Sequence, residues 1–214
     1  MAEDTTERTS VRFKPLELPK GETLETPQGR KLELLFQDTP ISREAPDILR
    51  LKAQAKELLA TGYDYFRGLV GEDFDLSEKF VVKFTQGRFR HGGILMHMDV
   101  DLLRELNKNP GQQYTQDLVQ SLVVHEIGHN LTVEEDIPMF AEMIYMAEKG
   151  QFGRIMEINR LFEKGKLDPA HVNGLAKIAR WLGYKYPPQA LTTFPQKDIQ
   201  KFKAIFRKNL SKGV

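Results

Sequence analysis

The 214-residue chain contains no cysteine, which removes disulfides, thiolate zinc sites, iron–sulfur clusters and cysteine nucleophiles from consideration. It also lacks any apolar run near the ~18–20 residues that a membrane-spanning helix requires, so no transmembrane segment is expected. Neither charge is in excess, with 31 Lys and Arg against 30 Asp and Glu. Bulk electrostatics therefore point to no nucleic-acid partner. The opening MAEDTTERTS has neither the basic start nor the apolar core of a secretory signal. With zero cysteines, that suits a reducing, cytoplasmic setting. Hydrophobic residues make up 40% and charged ones 29%, a composition that folds around a core without crosslinks.

The first 40 residues are polar and turn-rich, with Pro15, Pro19, Gly21, Pro27, Gly29 and Pro40 around one strand-like run, Lys31 to Gln37. They read as an extended arm, residues 1–40, wrapped on the body. A helix is then opened by Ser42, Glu44 and Pro46. Ile48, Leu51, Ala55, Leu58 and Leu59 recur at helical spacing, and the helix ends near Gly62 or runs on to Gly68. The period next shortens to two. Lys79 to Gln86 and Gly92 to Met98 predict two short strands with a hairpin connection at 87–91. Asp99 to Asn107 predicts a short helix closed by Asn109-Pro110-Gly111. From Tyr114 onward the pattern is helical, over 115–131, 136–149, 152–164, 169–182 and 196–210. Gly150, Gly165, Asp168-Pro169 and Tyr186-Pro187-Pro188 punctuate it. This order predicts an α+β fold with a small mixed sheet: a core over 41–149 and a helical part, 150–214, packed on it.

Two of the five histidines fall in Val-Val-His125-Glu126-Ile-Gly-His129-Asn, an H-E-x-x-H pattern. On a helix, positions i and i+4 lie one above the other, about 40° apart around the axis, so two imidazoles reach one metal ion. Glu126 falls about 100° from His125, at the edge of that face, placed to take a proton from a water the metal activates. Val119, Val123, Ile127 and Leu131 form a separate apolar stripe, with Thr115 as cap and Asp117 in the first turn. Gly128, between the histidines, permits close approach of another backbone.

Zinc needs a third protein ligand if one position is to stay open for water. Glu135 stands where a third histidine of the H-E-x-x-H-x-x-G-x-x-H kind would be, so the candidates are Glu134, Glu135, Asp136 and Glu142. If the chain reverses over Leu131 to Glu135, reflection of His125 through about residue 133 lands beside Glu142, inside an apolar return helix opened by Pro138. A glutamate in that setting needs a partner, which a metal would supply. Glu142 is the leading candidate, and Glu135, on the shorter tether, is the alternative.

His125-Glu126-x-x-His129 followed by a glutamate on the next helix resembles the gluzincin class of zinc metallopeptidases, and Ile137-Pro138-x-Phe140-x-Glu142 loosely resembles its approach to the third ligand. The resemblance covers residues 79–149. It implies a zincin-like fold, with an active-site helix and a glutamate helix. It also implies one Zn2+ held by His125, His129 and Glu142, Glu126 as general base, and a peptide or protein substrate. A further implication is an edge strand that pairs with an extended substrate, for which Gly92–Met98 is the candidate, with Gly93 and Ile94 contacting the peptide. Tyr145, His171, Tyr184 and Tyr186 are the candidate donors to an oxyanion, and Tyr145 is the one placed in the substrate site. His97 reads as a packed imidazole.

The expectation is a zinc metallopeptidase, latent if the first 40 residues or the C-terminus fill its cleft. The alternative is a metal-binding but non-catalytic regulatory module. The C-terminal segment, with Lys197, Lys201, Lys203, Arg207, Lys208 and Lys212 beside Ile199, Phe202, Ile205, Phe206 and Leu210, reads as a helix docked on the core with a solvated basic face.

Overall fold

The computed structural model of the chain describes residues 21–87, 90–92, 95–187, 191–192, 194 and 198–213. Two-residue alternation produces the strands. In Lys79–Thr85 (β3) the buried side chains are Phe80, Val82 and Phe84, and in Leu95–Asp99 (β5) Met96 and Met98 point the same way into the core. Lys31–Phe36 (β2) buries Leu32 and Leu34. Glu22–Glu25 (β1) and Arg90–Gly92 (β4) complete a five-stranded mixed sheet in the order β1-β2-β3-β5-β4. The inner pairs β2–β3 and β3–β5 are parallel, and the outer pairs β1–β2 and β4–β5 are antiparallel.

Two expectations change here. The run at Lys31 is an interior strand, so this part of the expected arm is integral to the sheet. The expected hairpin between the strands of Lys79 and Gly92 is replaced by a parallel β3–β5 pair. The hairpin pairing is β4 on β5, with Arg90 opposite His97 and Gly92 opposite Leu95. The edge on this side is therefore β4, and Leu95–Asp99, where the substrate strand was expected, is internal.

Among the described residues there are eight helices: Pro40–Glu44 (α1), Ile48–Val70 (α2), Val100–Lys108 (α3), Gln113–Gly128 (α4), Asp136–Glu148 (α5), Gly153–Glu163 (α6), Pro169–Trp181 (α7) and Ile199–Gly213 (α8). α2 lies over the sheet through Leu51, Ala55, Leu59, Tyr63 and Phe66, all fully buried, with Tyr63 edge-on to Phe80. Gly62 lets α4 come close, since a methyl group there would meet Val123 Cγ1 at 2.9 Å. α4 thus runs between α2 and α5.

α5 is buried along its whole length from Asp136 to Ala147, as expected of a helix apolar on every side. Phe140 is the hub on its far side, with ring contacts to Trp181, Phe194, Phe202 and Phe206. These contacts fasten α7 and α8 to α5 in one continuous core. α8 buries Phe202, Phe206 and Leu210 against that core while Lys201, Arg207 and Lys208 stay exposed. Arg207 also donates to the carbonyls of Gly68 and Leu69 at the end of α2. None of the described helices is long and apolar enough to cross a membrane.

Candidate metal centre

α4 carries the motif to its end. Its last helical residue is Gly128, and His129 is the C-cap, followed by a tightened turn in which the amides of His129, Asn130 and Leu131 reach back three residues. The helix starts at Gln113, so Thr115 lies inside it rather than capping it, and Gln112 occupies the cap without a side-chain bond. Gly128 has the role its position suggests. A methyl group there would sit 2.8 Å from Pro138 Cα, so α5 enters directly against the last turn of α4.

This close crossing brings α5 level with the motif. Glu142 Oε2 lies 2.9 Å from His125 Nδ1, and Glu142 Oε1 accepts from Arg154 Nε on α6 at 3.0 Å. The glutamate is therefore next to His125, on the Nδ1 side of the ring and away from Nε2. Its side chain is 3% exposed. Burial pushes its pKa up, but the His125 hydrogen bond and the Arg154 charge overcome this and hold it at about 2.

Glu135 occupies the other side. It is the N-cap of α5, yet its side chain makes no capping bond. It turns instead to three imidazoles. His125 Nε2 is 3.2 Å and His171 Nε2 3.6 Å from Oε2, and His129 Nε2 is 3.7 Å from Oε1. The ligand atoms of His125, Glu135 and His171 lie within 4.8 Å of one another, and this group could hold a metal ion. Donors bound tetrahedrally at ~2.0–2.2 Å stand roughly 3.3–3.6 Å apart. The 3.2 Å from His125 and 3.6 Å from His171 to Glu135 Oε2 suit that spacing, while His129, 3.7 Å from the other carboxylate oxygen, stands beside this group rather than within it. Glu135 Oε2 and His171 Nδ1 are both buried with no well-aligned hydrogen bond among the described residues.

The protonation states follow from the same contacts. Burial lowers the pKa of His125, but the carboxylates of Glu135 and Glu142 on its two nitrogens outweigh this and raise it to about 10. His129 is lowered, first by burial and then by the neighbouring His125 charge. Burial raises Glu135, but the contact with His125 and the nearby His171 and His129 leave its pKa lowered. His129 Nδ1 is 3.1 Å from the Thr132 carbonyl. Glu126 is buried on the same turn, close enough for its charge to act on His125.

α7 reaches the site because Gly174 has no side chain. A methyl group there would come within 2.9 Å of the Glu135 backbone carbon. Lys177, one turn on, pairs with Glu134 and with Asp136 at 3.3 Å, pinning the helix to the same corner. His171 was expected as an oxyanion donor that could swing toward the metal, not as a ligand, and Gly174, three residues after it, is what allows the close approach.

The remaining candidates sit elsewhere. Tyr145 packs edge-on against Tyr65 and lines a separate cavity of about 450 Å3 with Gln54, Glu57, Gln113, Asp117 and Lys149, and with none of the imidazoles. Burial and the nearby Asp117 and Glu148 raise its pKa. Tyr186 rests on Phe162, and Tyr184 makes the backbone bond to Ala179 that ends α7. His97 lies on the internal strand β5. Gly93 and Ile94 fall outside the described residues.

No family model matches the chain, and neither the curated proteins nor the solved structures contain a match to it.

Proposed function

We propose that the chain is a zinc-dependent metallopeptidase with a zincin-like catalytic core, in which His125, His129 and Glu135 hold one zinc ion and Glu126 is the general base. The observation that carries this reading is the fastening of the two motif imidazoles. Each turns Nε2 to the Glu135 carboxylate while its Nδ1 meets an acceptor, Glu142 for His125 and the Thr132 carbonyl for His129. An acceptor on the second nitrogen fixes tautomer and ring orientation and makes the first nitrogen a better ligand. Glu142 is then the orienting carboxylate behind His125, with Arg154 holding it in turn.

A zinc ion held here would polarise a scissile carbonyl and acidify a water. Glu126 takes the proton of the attacking water and delivers it to the leaving amine. Glu142 keeps Nδ1 of His125 occupied, so the imidazole cannot turn its lone pair away from the site.

A metal-binding module without catalysis is the second reading. The observation that favours it is His171, a further imidazole at the same carboxylate. Four protein donors make the closed kind of site that serves structure.

Elemental analysis and peptide hydrolysis by purified wild type, His129→Ala and Glu126→Gln test both readings. We expect about one zinc per chain in wild type, its loss in His129→Ala, and retained metal without turnover in Glu126→Gln. Wild type that stays empty when offered zinc refutes both. Wild type that is loaded but inert, even with His171 removed, leaves the second.

A further inference from the structure

The three imidazoles around Glu135 are not equivalent. His125 is 8% exposed and His129 14%, whereas His171 is 35% exposed. The first two each have Nδ1 at an acceptor. His171 Nδ1 has no hydrogen-bond partner among the described residues. An imidazole whose second nitrogen is unheld is a weaker and less oriented ligand than one fastened from behind. Its ring nevertheless stacks beside His125, with centroids 6.0 Å apart and planes 15° from parallel, and its Nε2 faces the carboxylate oxygen that His125 also faces.

Resting on the metal reading above, we propose that His171 is a displaceable fourth protein ligand. It closes the metal site in the resting protein and swings out to admit water or a substrate oxygen. Its backbone is anchored. Asp168 caps the start of α7 through the amide of Ala170, Pro169 occupies the first helical position, and Gly174 and Lys177 hold the helix to the Glu134–Asp136 corner. The freedom lies in the side-chain torsions, and the solvent-exposed flank of the ring gives it somewhere to go. With His171 in place, four protein donors would hold the ion and leave Glu126 no water to deprotonate. With His171 out, two imidazoles and one carboxylate remain, the open set that hydrolysis requires. The lock is thus one side chain from the helical part, and neither chain terminus has to enter the cleft.

The test uses the full chain loaded with Zn2+ or Co2+, in wild type and His171→Ala. X-ray absorption should count three imidazoles on the zinc in wild type and two in the variant, at unchanged metal stoichiometry. Azide added to the cobalt forms should bind the variant about 10- to 100-fold more tightly, because the open state no longer competes with a ligand already in place. Peptide hydrolysis should rise in the same variant. If wild type already shows two imidazoles, and azide titrates both proteins alike, the proposal is wrong while the metal reading stands. If wild type takes up no metal, the underlying reading has failed instead. The imidazole count on wild type decides the matter even if the variant folds poorly.

Discussion

Replacing Glu142 by Gln separates an orienting carboxylate from a metal ligand. The side chain is 3% exposed and connects two cations, His125 Nδ1 at 2.9 Å and Arg154 Nε at 3.0 Å. Breaking a buried pair by removing one partner costs ~3–5 kcal/mol, because the other charge is left uncompensated. Arg154 keeps Glu157 at 3.2 Å and is 24% exposed, so the low end, about 3 kcal/mol, is expected for the metal-free protein. Urea unfolding of wild type and Glu142→Gln in chelator reads that difference directly. Metal affinity should fall less: losing a partner behind a ligating histidine costs about 10- to 100-fold, equal to roughly 1.4–2.7 kcal/mol. A competition titration against a chromophoric chelator should therefore find Glu142→Gln weakened but still stoichiometric, and Glu135→Gln far weaker. The opposite order, with Glu142→Gln empty and Glu135→Gln loaded, would refute the assignment and restore Glu142 as the ligand.

Gly128→Ala adds a methyl group 2.8 Å from Pro138 Cα. The gain in helix propensity, up to about 1 kcal/mol, should be outweighed by an overpacking cost of ~1–3 kcal/mol. A rise in thermal midpoint would contradict the close crossing of α4 and α5. The metal-free protein should also have a stability optimum in pH. His125 is raised from 6.5 to about 10, so its contribution is full below pH 6.5 and lost as pH climbs through about 10. Glu142 is depressed from 4.5 to about 2, so its contribution is full above pH 4.5 and lost as pH falls through about 2. These are two ends of one contact. Thermal midpoints should therefore be highest between pH 4.5 and 6.5 and decline on either side, and a flat alkaline limb would rule out the His125 ion pair. Zinc uptake at neutral pH should release a proton from His125. Calorimetry in two buffers of different ionisation enthalpy checks this, since equal apparent enthalpies would mean no proton leaves.

The helices from Gln113 onward were legible because their apolar residues repeat at helical spacing and Gly150, Gly165 and Pro169 punctuate them. Strand order was not legible. Alternation identifies β3 and β5 as strands but carries no information on which neighbour each takes, and the short β4 has too few residues for a periodic signal. At the site, reflecting the chain through residue 133 brought Glu142 level with His125, and the two do meet. Level is not orientation, however, and nothing in residue spacing says which ring nitrogen a partner will address. Glu135 sits in a corner outside both helical repeats, so only its short tether and its place two turns before Glu142 spoke for it. His171 comes from a separate helix, and the pattern that brings it close is Gly174, a small residue on the same face.

His125, His129 and Glu135 lie within 11 consecutive residues, whereas His171 follows 36 residues after Glu135. Drawing in the remote donor must close the longer loop, which costs about 1 kcal/mol more chain entropy. An ion met during synthesis or refolding would thus be captured first by the local trio, and the last imidazole would arrive only once α7 had found its seat. Assembly order would then follow from the length of chain between the donors, whereas the freedom of the His171 side chain follows from its exposed ring and unheld Nδ1.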